Sequence, residues 1–231
     1  MAPPTFERAV SYGLYQGRVR EAIHALKYDR LHPAARVLGQ LLAEAIAQLA
    51  REAPAEMLVV PVPLHPSKYA QRGFNQARSL AVEALGFLRK SHPEWRLALA
   101  DSTLMRLRAT ESQAGLTPRQ RRQNLRGAFS VSEPSQVAGR HILLIDDILT
   151  TGATARAAAQ TLVKAGAASV WVATLARAQR MSGFGPELGS KYRGGEEGTD
   201  AGPAAASEES GLATGSTNAA DRSDLQGQTS F

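Results

Sequence analysis

Thirteen consecutive residues constrain this chain more than any other feature. Ile142, Leu143, Leu144 and Ile145 are followed by Asp146 and Asp147, and then by Ile148, Leu149, Thr150, Thr151, Gly152, Ala153 and Thr154. The unbroken apolar run, extended by His141 over residues 141–146, predicts a strand covered on both faces. Two acids stand at its carboxyl end. A turn rich in Thr and Gly leads into a helix predicted over residues 153–165, with Gly166 at its expected stop. A further apolar run over residues 170–175 completes a strand–helix–strand unit, which implies parallel strands and a right-handed crossover. The fold class is therefore α/β.

In open α/β sheets, ligands bind beyond the carboxyl ends of the strands. The turn can present the backbone N–H groups of Thr151, Gly152, Ala153 and Thr154 to an anion, aided by the positive end of the helix that starts there. Gly152 lets the backbone come close, and the threonine hydroxyls add donors. This is a specification for one phosphate beside two carboxylates. Because carboxylates repel phosphate, Asp146 and Asp147 are better suited to accept hydrogen bonds from sugar hydroxyls or to hold Mg²⁺ nearby. Competing readings fare worse. A receiver domain carries its acid pair near its start with several strands to follow, whereas about one strand follows here. A Walker loop needs Lys after Gly, and Gly152 is followed by Ala153. Gly183, Gly185 and Gly189 have the wrong spacing for a dinucleotide fingerprint and no strand before them.

Charge divides the chain. Residues 1–180 hold 24 Lys and Arg against 13 Asp and Glu, while residues 181–231 hold 3 against 8, so a net +6 is the sum of +11 and −5. The second part carries 10 of the 20 glycines and only isolated apolar residues, so it is expected to be a disordered acidic tail. With no cysteine in 231 residues, disulfide scaffolds and Cys-ligated metal sites are excluded. His24, His32, His65, His92 and His141 are scattered without metal-ligand spacing. No window supplies the ~18 apolar residues of a membrane span, and the first 18 residues have no signal-peptide core, so a cytoplasmic location is expected.

Within the basic part, Val19, Ile23, Leu26 and Lys27 have the spacing of a short amphipathic helix, and apolar residues at three and four predict another over 34–49. A strand is expected over 57–62, closed by Pro61, Pro63 and Pro66, then a helix over 75–88 and a weaker strand over 97–107. Residues 106–128 break the pattern. They carry Arg at 106, 108, 119, 121, 122 and 126 and read as a long functional loop, with a short helix opening at Thr117-Pro118.

The 13-residue segment resembles the phosphoribosyl-pyrophosphate (PRPP) motif of type I phosphoribosyltransferases. The basic part, over residues 12–178, is similar to the ComF family of competence-associated proteins, on the strength of Val60 through Pro66, Arg72-Gly73-Phe74-Asn75-Gln76-Ala77, Gln113 to Leu116, Arg119 to Phe129, and Gly139 to Thr154. The resemblance implies a type I phosphoribosyltransferase fold, a mainly parallel sheet flanked by helices with a flexible hood or flap. It implies that Asp146 and Asp147 contact the ribose hydroxyls of PRPP, and that Thr150, Thr151, Gly152, Ala153 and Thr154 wrap its 5′-phosphate. Arg72, Gly73, Phe74 and Asn75 stand where that superfamily has its pyrophosphate loop. Arg119, Arg121, Arg122, Asn124 and Arg126 match the mobile flap, as phosphate or DNA contacts. Mg²⁺ is expected to come with PRPP, near Asp146 and Asp147, without a direct protein metal site. Many relatives carry a Cys-rich zinc module; no zinc is expected for this cysteine-free chain, and a Cys-dependent glutamine amidotransferase mechanism is disfavoured.

Three functions follow from that resemblance. One is PRPP binding in DNA uptake, with single-stranded DNA held electrostatically, since only 6% of residues are aromatic. Another is an active phosphoribosyltransferase of nucleotide salvage. The last is an interaction subunit for a helicase or DNA-uptake partner. No residue is assigned as the catalytic base, because the acceptor is unknown.

Overall fold

The computed structural model describes residues 5–28, 32–108, 125 and 127–178. The acidic stretch 181–231, the helix expected at Thr117-Pro118, and Arg119, Arg121, Arg122, Asn124 and Arg126 lie outside them.

Five strands form one parallel sheet: β1 (Ala9–Leu14), β2 (Glu56–Pro61), β3 (Arg96–Leu99), β6 (His141–Leu149) and β7 (Ser169–Arg177), in the order β1-β7-β6-β2-β3. Two short strands, β4 (Leu104–Arg106) and β5 (Phe129–Val131), pair antiparallel as a separate ribbon. The helices are α1 (Gly17–Tyr28), α2 (His32–Ala47), α3 (Pro66–Arg72), α4 (Gln76–Ser91), α5 (Pro134–Val137) and α6 (Ala153–Lys164).

Strand alternation sorts the core into two layers. Leu143 and Ile145 of β6 face α1, α2 and α4, in a cluster with Ile23, Leu26, Leu42, Ile46, Leu80 and Leu88. Ile142 and Leu144 face the ribbon and α6, with Leu104, Phe129, Ala158 and Leu162. Helices thus cover both faces, as the continuous apolar runs of β2 and β6 require. Where α2 crosses α4, a Cβ on Gly39 would lie 2.2 Å from the Cβ of Glu83, so only glycine admits this approach.

Some expectations change. The stretch 97–107 is two strands in two sheets: Arg96–Leu99 edges the main sheet, and Leu104–Arg106 belongs to the ribbon. The polar turn Asp101-Ser102 between them interrupts any single strand. The strand expected over 141–146 continues to Leu149, because β7 runs alongside it to Arg177. β1 was not expected: with Ser11, Gly13 and an exposed Tyr12 and Leu14, it lacks a buried strand's apolar run.

One topological feature positions the site. From β2 the chain moves through α4 to β3 on one side, and from β6 through α6 to β7 on the other. The order reverses between β2 and β6, and loops leaving their carboxyl ends diverge there, opening a crevice.

Candidate functional site

β2 stops at Pro61, which is in register with Ile145, and Val62 N–H donates to the Ile145 carbonyl at 2.8 Å. Pro63 follows at once and cannot donate to a ladder. Asp146 is therefore the first residue of β6 beyond the end of its neighbour. From there, among the described residues, β6 is paired on one side only, Asp146 standing opposite the buried Thr174 of β7.

Continuing the alternation of β6, Asp146 is directed toward the ribbon face and Asp147 toward the helical face. Two cations act on the pair. Lys27 of α1 forms an ion pair with Asp147 Oδ2, the side chains being 18% and 8% exposed. The contact is ionic, without the geometry of a directed hydrogen bond. On the other face, Arg106 of β4 feels the charge of Asp146, while burial works against its guanidinium. That guanidinium also lies 5.5 Å from the ring centroid of Phe129, its partner in the ribbon register.

The acids are coupled to each other. Asp147 N–H donates to Asp146 Oδ1 at 2.9 Å. Enclosure by protein, and secondarily the neighbouring Asp147 charge, raise the Asp146 carboxyl well above the usual carboxylate range, against the opposing pull of Lys27.

The loop from β2 supplies more positive charge. His65 caps α3, its Nδ1 accepting from Ser67 N–H at 3.3 Å, and Pro66 fits the first turn. The Lys68 ammonium is held below its ordinary value, first by partial burial and then by Arg106, Arg72 and Lys27. Lys68 is thus within electrostatic reach of three cations, Lys27, Arg72 and Arg106, which come from three elements. Arg72 donates to Gln76 Oε1 at 2.6 Å, which orients it beside the start of α4. Gly73 closes α3 with φ 83°, and Phe74 packs against the helical-face core. Both polar groups of the Asn75 side chain serve the backbone: Oδ1 accepts from Ala77 N–H at 3.0 Å and Nδ2 donates to the Val62 carbonyl at 3.1 Å. Asn75 thus fixes the loop to the end of β2 and caps α4.

Thr150, Thr151, Gly152, Ala153 and Thr154 form the turn from β6 into α6. Gly152 has φ 71° and stands at the N-cap position without a side-chain cap bond. The Thr151 hydroxyl reaches Ala153 N–H only at 3.4 Å. Arg156 folds back over the turn, its guanidinium donating to the Thr151 carbonyl. A groove of about 770 Å³ lies beyond it, between α6 and the ribbon, and shares Ala153 and Arg156 with the turn. The acids do not line that groove, so the chemistry is placed in the crevice between the β2 and β6 loops.

The structure thus gathers Asp146, Asp147, the turn 150–154 and Arg72 at the switch point, and gives Asn75 a positioning part. Sequence reasoning missed Lys27, Lys68, Arg106 and Arg156 as site residues. Signals existed for two of them: Lys27 sits in the apolar stripe of its helix, and Arg106 stands two residues after the buried Leu104 on the same strand face. A cation at a core-facing position points to a buried partner.

The donor set also bears on metal. Of the two carboxylates, one is ion-paired to an ammonium, and among the described residues no three His, Cys, Asp or Glu gather as a metal cluster. No helix among the described residues is long and apolar enough to cross a membrane.

Comparison with known proteins places the sequence in a family. The family description "Phosphoribosyl transferase domain" matches residues 70–201. DNA utilization protein YhgH of Escherichia coli (strain K12) is 34% identical over 177 residues, 76% of this chain and 74% of that protein. Competence protein F of Haemophilus influenzae is 29% identical over 178 residues, 76% and 75% of the two chains. Competence protein ComFC of Streptococcus pneumoniae is 30% identical over 163 residues, 71% and 65%. Among solved structures, the glutamine PRPP amidotransferase of B. subtilis, complexed with ADP and GMP, aligns over 61% of this chain and 26% of its own, at 23% identity and a TM-score of 0.35.

Proposed function

The chain belongs to the phosphoribosyl transferase domain family, in the group that holds the DNA utilization and competence proteins, and from that premise we propose that it binds PRPP, or a closely related phosphoribosyl ligand, in the service of DNA uptake or use. The observation that carries this reading is the acid pair at the switch point, followed in the chain by the anion-suited turn, with Lys27 in contact with Asp147 and Arg106 within electrostatic reach of Asp146. A phosphoribosyl pyrophosphate has the same sequence of groups: phosphate, two ring hydroxyls, pyrophosphate.

In this reading the turn from Thr150 to Thr154 takes the 5′-phosphate through backbone N–H groups and the start of α6. Asp146 and Asp147 accept from ribose hydroxyls, and Lys68, Arg72 and Arg106 face the pyrophosphate. The Mg²⁺ of this reading is brought by the ligand, where it neutralises part of the pyrophosphate charge. The protein's share in any transfer at the anomeric carbon is positioning and charge stabilisation, and no residue is assigned as the base because the acceptor is unknown.

Calorimetry with PRPP and Mg²⁺ tests the binding. The wild type is expected to bind and the Asp146→Asn/Asp147→Asn variant to lose binding; equal heats from both would defeat the proposal. Incubating radiolabelled PRPP with purines, pyrimidines or ammonia then separates binding alone from the transferase alternative.

The DNA role is supported by the relatives' names and by the +11 balance of residues 1–180. Its test is anisotropy of labelled single-stranded DNA at two salt concentrations: affinity should fall steeply with salt and fall again when Arg119, Arg121 and Arg122 become Ala.

A further inference from the structure

The ion pair between Lys27 and Asp147 is placed unusually for a structural contact. Lys27 stands near the end of α1, whose Ile23 and Leu26 are fully buried in the helical-face core, so its backbone is anchored and its ammonium is delivered to one location. There it is in contact with Asp147. Lys68, which follows β2, is near enough to feel the Lys27 charge, and it feels Arg72 and Arg106 as well. The ammonium is thus attracted by the carboxylate it touches and repelled by a neighbouring cation.

We infer that Lys27 is a specificity-determining residue which turns from Asp147 to the pyrophosphate of an incoming ligand, so that the site discriminates for ligands carrying that second anionic group. This rests on the phosphoribosyl reading above. Without a ligand, Lys27 neutralises Asp147 and is repelled by the like charge of Lys68. When a pyrophosphate enters beside Lys68, it reverses the sign of what Lys27 meets there. A lysine is suited to this exchange, because its ammonium is a compact charge on a flexible stem and needs no planar register with its partner. Ribose hydroxyls then donate to the Asp147 oxygen that the ammonium has left. A ligand with the 5′-phosphate but no pyrophosphate gives Lys27 no alternative partner, and must compete with it for Asp147.

The test compares two ligands on variants. PRPP and ribose 5-phosphate, each with Mg²⁺, are titrated into the wild type, Lys27→Gln and Lys27→Arg by calorimetry. The wild type is expected to prefer PRPP. In Lys27→Gln that preference should shrink by about tenfold, chiefly through weaker PRPP binding, while ribose 5-phosphate binds as before or more tightly. Lys27→Arg should keep most of the preference. Losses of equal size for both ligands in Lys27→Gln would overturn the inference and leave Lys27 with a structural part only. A wild type that binds neither ligand would instead overturn the phosphoribosyl reading.

Should Lys27→Gln fail to fold, the wild type still decides. The ¹⁵N-lysine ammonium resonance of Lys27, identified by its absence in Lys27→Arg, should move on addition of PRPP and not of ribose 5-phosphate. An identical response to both would count against the exchange.

Discussion

Asp147 donates its backbone N–H to Oδ1 of Asp146 at 2.9 Å, so the two acids are held as a unit before any ligand arrives. Asp147 is nevertheless in contact with the Lys27 ammonium, whereas Asp146 has no such ion pair among the described residues and feels Lys27 only through its charge. The pair is therefore electrostatically asymmetric, and its members should respond differently to substitution.

For Asp146, burial first and the Asp147 charge second raise the carboxyl well above its ordinary range. Between the unfolded value, about 3.9, and that raised value, the folded protein holds a proton which the unfolded chain has lost. Stability then falls as pH rises through this window. Asp146→Asn should remove that part of the decline, so melting curves of the ligand-free proteins from about pH 5 to 8 should diverge, with the variant the more stable at the upper end. Parallel curves would show that Asp146 is not held protonated.

For Asp147 the expectation is reversed. With the two side chains 8% and 18% exposed, removing one charge strands the other. Asp147→Asn and Lys27→Met should each destabilise by about 3 kcal/mol, toward the low end for a broken buried pair because Lys27 keeps some exposure. The double variant should recover most of that loss. Urea unfolding of the four proteins closes the cycle, and simple additivity would mean that the pair contributes no coupling.

These two predictions depend on residues that differ in how readable they are. Asp146 and Asp147 are visible in the sequence because they interrupt an apolar strand just before a Thr/Gly turn, and the β6–α6–β7 unit follows from local periodicity alone. Lys27 lies about 120 residues earlier, and its helix looks like an ordinary amphipathic one until packing carries its end to β6. Arg106 was read as part of a loop, because the ribbon that holds it has strands of 3 residues each, too short for a period to emerge. The outer strand β1 was missed for a similar reason: partnered on one side, it needs no apolar run.

Gly152 holds φ 71°, and a Cβ there would lie 3.2 Å from Arg156 Nη1. Since the guanidinium can give way, the backbone dominates: Gly152→Ala should cost about 1–2 kcal/mol. It should also weaken binding of the 5′-phosphate by distorting the turn. Urea midpoints measure the first effect, and ribose 5-phosphate titration the second; unchanged values in both would show that the turn tolerates a side chain.

Asn75→Ala should lose the cap of α4, about 1 kcal/mol, and the tie to Val62, about another 1 kcal/mol. Asn75→Asp keeps the cap and forfeits the tie, so it should lie midway in thermal stability. If Asp were as damaging as Ala, the amide's cap bond would contribute nothing measurable.

Gly39→Ala tests the crossing of α2 and α4. Helix propensity alone favours Ala by about 1 kcal/mol. The 2.2 Å approach to Glu83 Cβ leaves no room for the added methyl, and overpacking should make the change net destabilising by about 1–3 kcal/mol. A rise in melting temperature would mean that the helices can separate at little cost.

The overhang of β6 past the end of β2 transfers responsibility for the site to the far side of the sheet. Beyond Ile145 the strand partner of β6 among the described residues is β7, where Thr174, opposite Asp146, has its Oγ1 2.7 Å from Ser11 Oγ of β1. The acid ledge is thus a cantilever braced by β7, which is itself braced by the edge strand β1. The least conspicuous strand therefore stands two places from the acids in the sheet and bears on them through β7.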